Sequence, residues 1–155
     1  MHTTQILINL RKIIRSVNLE SKRIEKEFGL SMPQLLCLNY LNTKPDIQAS
    51  HKEIKDFLQL NASTVTGIIT RLEKKDLVSR LPRQNDRRIG PITLTSRGVA
   101  LTESSPDPLH MRLSNRMEKL SDQQLSELEQ AFSLIIQFLN IEDLEAPPIL
   151  AIENE

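Results

Sequence analysis

Residues 60–80 read LNASTVTGIITRLEKKDLVSR, and a helical pattern changes to a strand pattern within this stretch. Apolar residues first recur at spacings of three and four, which predicts an amphipathic helix ending near Lys75. Asn61 is a favourable N-cap for that helix. From Leu77 to Leu81 apolar and polar residues alternate instead, which predicts a β-strand. The predicted inward face of the helix consists of Val65, Ile68, Ile69 and Leu72.

A second short helix is predicted immediately before the turn at residues 60–61. Ser50 and Glu53 have the spacing of a capping box, in which each side chain bonds the backbone N–H of the other residue. Two short helices joined by a turn of three or four residues are typical of a helix-turn-helix unit. The predicted buried face of this earlier helix is Ile54, Phe57 and Leu58.

A polar stretch, Arg83 to Gly90, connects the first strand to a second alternating run at residues 91–95. The two runs predict a β-hairpin, or wing, after the helix-turn-helix unit. Near the tip of the wing Asp86 can orient the guanidinium group of Arg88, and arginine is attracted to the minor groove of DNA. The alternative is an ordinary polar turn whose surface ion pair contributes little to stability.

Helices are also predicted before this central region. A long amphipathic helix carries apolar residues from Ile6 to Phe28 and ends at Gly29, a favourable C-terminal cap. Ser31 and Gln34 form a second capping box and begin the next helix. The inward face of that next helix is predicted to be Leu35, Leu36, Leu38 and Leu41.

Further helices are predicted after the wing. Ser96 is expected to cap a helix that breaks at residues 104–108, and Pro108 at a first helical position restarts it. Ser121 and Gln124 form a third capping box and begin the last helix. The apolar face of the last helix is predicted to be Leu125, Leu128, Phe132, Ile135 and Leu139.

The net charge is zero, but the charges are segregated along the chain. Basic residues outnumber acidic ones nine to six over residues 1–60 and eight to three over residues 61–100, whereas residues 101–155 carry three against eleven. A basic centre beside an acidic tail suggests a polyanion as the partner of the centre. The alternative is a solvated surface on which charges happen to cluster.

The sequence lacks the residue patterns that several classes of protein require. No run of some eighteen apolar residues exists, so no membrane span is expected. Glycine-rich phosphate loops, metal-ligand spacings and a nucleophile elbow are absent, so neither an enzyme nor a metal or cofactor site is expected. The single cysteine, Cys37, and an N-terminus unlike a secretory signal favour a cytoplasmic protein.

The helix after Asn61 presents small side chains with hydroxyl groups on the side opposite its apolar stripe. Small residues let a helix approach the floor of the major groove, and hydroxyl groups can bond bases or phosphates. A serine- and threonine-rich helix without a partner is the alternative. The candidate DNA-binding residues are Asn61, Ala62, Ser63, Thr64, Thr66, Gly67, Thr70 and Arg71 on the helix, with Arg83, Asp86, Arg87 and Arg88 on the wing.

Residues 60–80, together with NDRRIGPITLTSRG at residues 85–98, resemble the multiple-antibiotic-resistance regulator (MarR) family. The pattern of that family includes a serine/threonine recognition helix, an Asp-x-Arg wing and a Leu-Thr-x-x-Gly turn. Two positions depart from it: Gly67 stands where arginine is frequent, and Asp76 replaces a glycine, where aspartate can adopt the left-handed conformation at some cost. The matching residues are Asp86, Arg88, Leu94, Thr95 and Gly98.

The resemblance covers nearly the whole chain and implies a single domain over residues 1–155, mainly α-helical with a small β-hairpin wing. Residues 31–103 would form the winged helix-turn-helix lobe, and residues 1–30 and 108–155 the dimerisation helices. A homodimer would place two recognition helices about 34 Å apart on a pseudo-palindromic operator in double-stranded DNA. The expected dimer contacts are Ile6, Leu10, Ile13, Phe132, Ile135 and Leu139.

Members of the family are usually repressors that a small organic ligand, often an anionic one, releases from DNA. The resemblance places that ligand between the lobe and the dimerisation helices. SPDPLH at residues 105–110 and APPIL at residues 146–150 resemble members linked to compatible-solute operons, with stress and efflux operons as alternatives. Candidate lining residues are Arg15, Leu36, Tyr40 and Arg112, each of which could instead be an ordinary packing or surface residue.

Two alternative functions keep the same fold. One branch of the family senses peroxides through a cysteine in the first helix, which makes Cys37 a candidate redox sensor. Cys37 lies among leucines of the second predicted helix instead, where a buried and inert thiol is expected. The other alternative is a protein-interaction module that does not bind DNA and has no need of the charged wing tip.

Overall fold

The structure is a computed structural model that describes residues 1–82 and 90–146. The chain divides into two compact units, of which one comprises residues 1–106 and the other begins at Asp107. The first unit holds α1 (His2–Phe28), α2 (Met32–Thr43), β1 (Gln48–Ala49), α3 (His51–Leu58), α4 (Ala62–Lys74), β2 (Val78–Arg80), β3 (Ile92–Leu94) and α5 (Ser96–Ser104). The second unit holds α6 (Leu109–Met117) and α7 (Asp122–Leu139).

The observed elements confirm the predicted fold class, mainly α-helical with a small antiparallel sheet. Of the predicted dimerisation segments, residues 1–30 belong to the first unit, and the described part of residues 108–155 belongs to the second. No helix in residues 1–82 and 90–146 is long and apolar enough to cross a membrane.

The core of the first unit is built around α2. Its predicted inward residues are at most 1% exposed, and α2 packs against α1, α3, α4, α5 and β3. Each fully buried leucine contributes about 2–3 kcal/mol to stability. The four predicted inward residues of α4 are also buried, whereas Phe57 of α3 is only half-buried.

All three predicted capping boxes are present. Ser31 and Gln34, Ser50 and Glu53, and Ser121 and Gln124 each exchange two side chain–backbone hydrogen bonds of 2.9–3.3 Å. Each box satisfies backbone N–H groups that have no partner inside the helix. The starts of α2, α3 and α7 are therefore set by residues adjacent in sequence.

The predicted start of α5 was wrong by one residue. Thr95, not Ser96, is the N-cap, and its hydroxyl accepts a hydrogen bond from the Gly98 N–H at 3.1 Å. The same hydroxyl donates to the carbonyl oxygen of Asp76 at 2.6 Å, so the cap also ties α5 to the end of α4. Pro108 likewise is the N-cap of α6 rather than its first helical residue, because its backbone is extended with ψ 148°.

The sheet contains one strand that the sequence pattern does not indicate. Its order is β1–β3–β2, with both pairs antiparallel. β2 and β3 were predicted, and they pair Val78 with Leu94 and Arg80 with Ile92. β1 has two residues, too few to show an alternating pattern, and it pairs with β3 more than forty residues later.

The junction between α4 and β2 depends on two backbone positions. Asp76 adopts the expected left-handed conformation, with φ 57°, which ends α4 and turns the chain into β2. A Cβ atom on Gly98 would lie 2.1 Å from the carbonyl oxygen of Leu77, so only glycine lets α5 start this close to the strand. The Leu-Thr-x-x-Gly turn thus fixes α5 against the exit of α4.

Candidate nucleic-acid interface

The candidate DNA-binding helix, α4, has one buried face and one polar face. Val65, Ile69 and Leu72 are at most 1% exposed and hold the helix on the core. On the polar face, Asn61, Ala62, Ser63, Thr64, Thr66 and Arg71 are exposed, and Gly67 and Thr70 are half-buried. The structure therefore brings the eight candidate residues of this helix together on one surface.

The first turn of α4 is organised by Asn61. Its side-chain oxygen Oδ1 accepts hydrogen bonds from the Thr64 backbone N–H and from the Ser63 hydroxyl, both at 2.8 Å. The predicted N-cap is thus confirmed, and it also fixes the Ser63 side chain. An N-cap of this kind is worth about 1 kcal/mol.

Thr66 connects α4 to α3. Its hydroxyl donates to the Ala62 carbonyl oxygen at 2.9 Å and lies 3.0 Å from Nε2 of His51, the first residue of α3. The two helices of the helix-turn-helix unit are therefore joined by a side-chain hydrogen bond at the polar surface. Sequence reasoning missed His51, since a lone histidine in a helix carries no signal of its neighbours.

Arg80 of β2 is a second residue whose contacts at this surface the sequence did not predict. It contributed only to the charge of the basic centre, residues 61–100. Its Nη2 atom donates to the Thr70 hydroxyl at 3.2 Å, and its Nε atom pairs with Glu73 at 3.2 Å. Both side chains of this ion pair are about 40% exposed, so its contribution to stability is small. Arg80 instead holds Thr70 and the end of α4 in position.

Gly67 leaves space on the polar face that Arg71 uses. A Cβ atom on Gly67 would lie 3.6 Å from Nη1 of Arg71, an ordinary van der Waals distance. The guanidinium group of Arg71 therefore lies back over Gly67. The arginine that the family often has at position 67 is absent, and Arg71 supplies a cation within one helical turn of it.

The four candidate wing residues, Arg83, Asp86, Arg87 and Arg88, lie outside the residues that the structure describes. The two ends of this segment are described. The Leu81 N–H donates to the Pro91 carbonyl oxygen at 2.8 Å, which continues the pairing of β2 with β3. Residues 83–89 therefore connect two adjacent antiparallel strands.

The candidate ligand residues have packing or surface roles in the described chain. Leu36 is 1% exposed, and the ring of Tyr40 stacks on Phe57 with centroids 4.2 Å apart. Arg15 is exposed on α1. Arg112 belongs to the second unit and donates to the Asp107 carbonyl oxygen at 2.6 Å. Of these four residues, Leu36 and Tyr40 lie one helical turn apart on α2.

The candidate dimer residues lie on helices with uncovered apolar side chains. On α1, Ile6 and Ile13 are 53% and 45% exposed, and Leu10 is half-buried. On α7, Phe132 and Leu139 are 44% and 52% exposed, and Ile135 is half-buried. α7 has no fully buried residue, so its apolar side chains remain at least partly exposed in a single chain.

Cys37 is fully buried in α2, and its burial raises the pKa of the thiol from 9.0 to about 12. Desolvation has this effect because it penalises the charged thiolate. Reaction with a peroxide requires the thiolate and access to solvent. Both properties oppose a role for Cys37 as a redox sensor.

Comparisons with known proteins agree with this architecture. A sequence model described as the MarR family matches residues 30–89. The HTH-type transcriptional regulator YfiV of Bacillus subtilis (strain 168), itself uncharacterised, is 25% identical over 135 residues, 87% of this chain and 83% of that protein. The organic hydroperoxide resistance transcriptional regulator of the same bacterium is 25% identical over 126 residues, 81% of this chain and 83% of that protein.

A solved structure shares the fold. The MepR–DNA complex of S. aureus superposes with a TM-score of 0.63 at 21% identity, and the match covers 85% of this chain and 96% of MepR. Members of the family are transcription regulators rather than enzymes. Residues 30–89 of the chain thus match the MarR family of transcriptional regulators, and its winged helix-turn-helix fold is that of the MepR structure.

Proposed function

We propose that the chain is a homodimeric regulator that binds a pseudo-palindromic operator in double-stranded DNA and places α4 in the major groove of each half-site. The polar face of α4 carries this proposal. Its exposed side chains are small or bear hydroxyl groups, and Arg71 adds a cation beside them. A helix of this kind can approach base edges closely and still bond phosphates.

The charge distribution supports an anionic partner for the first unit. The last turn of α4 and its C-cap carry three exposed basic residues, Arg71, Lys74 and Lys75, and α3 adds the exposed Lys52 and the half-buried Lys55. Phosphate contacts of such residues release counterions, so affinity falls steeply as the salt concentration rises. The wing would add Arg88 in the minor groove and Arg83 and Arg87 on the phosphates.

The uncovered apolar faces of α1 and α7 support a dimer. A monomeric soluble protein rarely exposes large apolar patches, and a second copy of the chain would cover these. Two-fold symmetry would then present two copies of α4 to two half-sites one DNA turn apart, about 34 Å. Such a DNA-binding regulator would act in the cytoplasm.

We further propose repression that a small organic ligand relieves, in a stress, efflux or compatible-solute operon. Leu36 and Tyr40 would supply the apolar part of the ligand site. Both lie on α2, the helix around which the unit that carries α4 is packed. Arg15, which is exposed on α1, would bind an anionic group of the ligand. A tenfold loss of DNA affinity requires about 1.4 kcal/mol of difference in ligand binding between the two states.

The decisive experiment selects duplexes from a random pool with the purified protein and measures their affinity by fluorescence anisotropy. Arg71→Ala should weaken binding about tenfold. Arg116→Ala, at an exposed arginine of the second unit, is the matched control and should change little. The placement of α4 in the major groove would be excluded if no sequence is enriched, or if the two substitutions change DNA affinity equally. Adding salicylate-like compounds to the same assay tests ligand release.

A further inference from the structure

The hydroxyl groups on the polar face of α4 differ in what they can still bond, because each has one proton to donate. The Asn61 side-chain atom that accepts from the Thr64 N–H must be its oxygen. The Ser63 hydroxyl lies 2.8 Å from that same oxygen and must therefore donate its proton to it. Ser63 is exposed and retains only lone pairs for an outside partner.

Thr66 has also used its proton. A carbonyl oxygen can only accept, so the 2.9 Å contact with the Ala62 oxygen takes the proton of the Thr66 hydroxyl. His51 Nε2, 3.0 Å from that hydroxyl, must then carry a proton and donate it to Thr66. One lone pair of Thr66 remains for an outside partner, and this residue is exposed.

Two other threonines of α4 provide a contrast. In the described chain the Thr64 hydroxyl forms no hydrogen bond, and the Thr70 hydroxyl accepts from Arg80 and keeps its own proton. Thr64 can therefore donate or accept, and Thr70 can donate. The first turns of α4 thus mix two hydroxyls that only accept with one that has no preference.

We infer that Ser63 and Thr66 read DNA as hydrogen-bond acceptors only, and so select adenine or cytosine on the strand that each hydroxyl faces. In the major groove adenine N6 and cytosine N4 donate, whereas guanine O6 and thymine O4 present lone pairs. A keto base would set lone pair against lone pair and leave both groups without a partner. The inference rests on the proposed placement of α4 in the major groove.

The test begins with the operator selected by the wild-type protein. Two positions in each half-site should accept adenine or cytosine and exclude guanine and thymine on one strand. Exchanging an amino base for a keto base there should lower affinity about tenfold, within the usual range for one mismatched base pair. Replacing adenine by purine, which lacks the N6 amino group, should also lower affinity.

Three substitutions assign the two positions to their residues. Ser63→Ala and Thr66→Val should each abolish the amino–keto discrimination at one position and leave the other intact. Thr64→Val is the matched control and should abolish neither, because the Thr64 hydroxyl can also bond a keto base. Thermal unfolding of each variant verifies that the fold is retained.

Substitutions of Asn61 test whether the donated proton of the Ser63 hydroxyl causes the discrimination. Asn61→Ala should free the Ser63 proton, so that the position read by Ser63 also accepts guanine or thymine. Asn61→Asp keeps the accepting oxygen and should keep the discrimination. The inference is overturned if the amino–keto discrimination survives both Ser63→Ala and Thr66→Val. It is also overturned if the positions that these residues control prefer keto bases. Neither result would contradict sequence-specific binding. A wild-type protein that binds all duplexes equally instead rejects the proposed function.

Discussion

α4 and α7 are both amphipathic helices with an exposed face, but the chemistry of the two faces differs. α4 buries four aliphatic side chains and exposes serine, threonine and arginine. α7 buries none of its residues and exposes leucine, isoleucine and phenylalanine, with Phe138 at 72%. Each helix belongs to a different compact unit.

The difference indicates what kind of partner each helix requires. Covering an apolar face removes hydrocarbon from water, which favours a second protein surface. A face of hydroxyl groups would gain nothing from such burial and needs a partner that supplies hydrogen bonds. α7 is therefore suited to a second copy of the chain, and α4 to a polar surface such as the major groove.

The largest expected effect comes from a charge on the apolar face of α7. Phe132→Glu should dissociate the dimer and lower operator affinity on the order of a thousandfold, because a monomer reaches only one half-site. Phe132 is 44% exposed, so the carboxylate stays solvated in a single chain. Sedimentation velocity and anisotropy measure both effects, with Gln130→Glu as the control. A Phe132→Glu protein that sediments as a dimer would refute the role of this face.

The wing should contribute next to DNA binding. Arg88→Ala removes one minor-groove contact from each half-site and should lower operator affinity on the order of a hundredfold with the melting temperature unchanged. Arg87→Ala should weaken binding to all sequences alike and reduce the salt slope by about one per protomer, since a phosphate contact carries no base information. Affinity of Arg88→Ala within twofold of wild type would remove the wing from the interface.

Replacing each of two glycines, Gly98 of α5 and Gly67 of α4, by alanine should change stability with opposite signs. Gly98→Ala places a Cβ atom 2.1 Å from the Leu77 carbonyl oxygen and should destabilise the fold by about 1–3 kcal/mol. Gly67→Ala places its Cβ atom at an ordinary van der Waals distance, 3.6 Å from Nη1 of Arg71, and should stabilise the fold by about 0.5–1 kcal/mol through higher helix propensity. Urea unfolding measures both, and equal signs would contradict the described packing.

A final effect, which appears only at high pH, concerns Cys37, a buried residue of α2. The pKa of its thiol is raised from 9.0 to about 12, so the unfolded chain loses this proton first as pH rises. Stability is retained below pH 9 and should fall by about 1 kcal/mol at pH 10. Cys37→Ala should lack this part of the pH dependence. Unchanged pH dependence in the variant, or fast alkylation of the native thiol, would show that Cys37 is accessible.

Much of the fold follows from residues close together in sequence. The capping boxes at Ser31, Ser50 and Ser121 span three residues each, so a local pattern suffices to locate three helix starts. The left-handed Asp76 and the Gly29 cap are single-residue signals of the same kind. The polar face of α4 was predicted for the same reason, because helical spacing determines which side chains share a side.

Contacts between distant residues determined the remainder. The strand β1 exists because β3 pairs with it, and Thr95 rather than Ser96 caps α5 because its hydroxyl also reaches the Asp76 carbonyl oxygen. The bonds from His51 to Thr66 and from Arg80 to Thr70 join elements that sequence spacing cannot place together. The sequence by itself determined which face of α4 is polar. The tertiary structure decided which hydroxyl protons on that face are already used, since a hydrogen bond depends on distances in space and not along the chain.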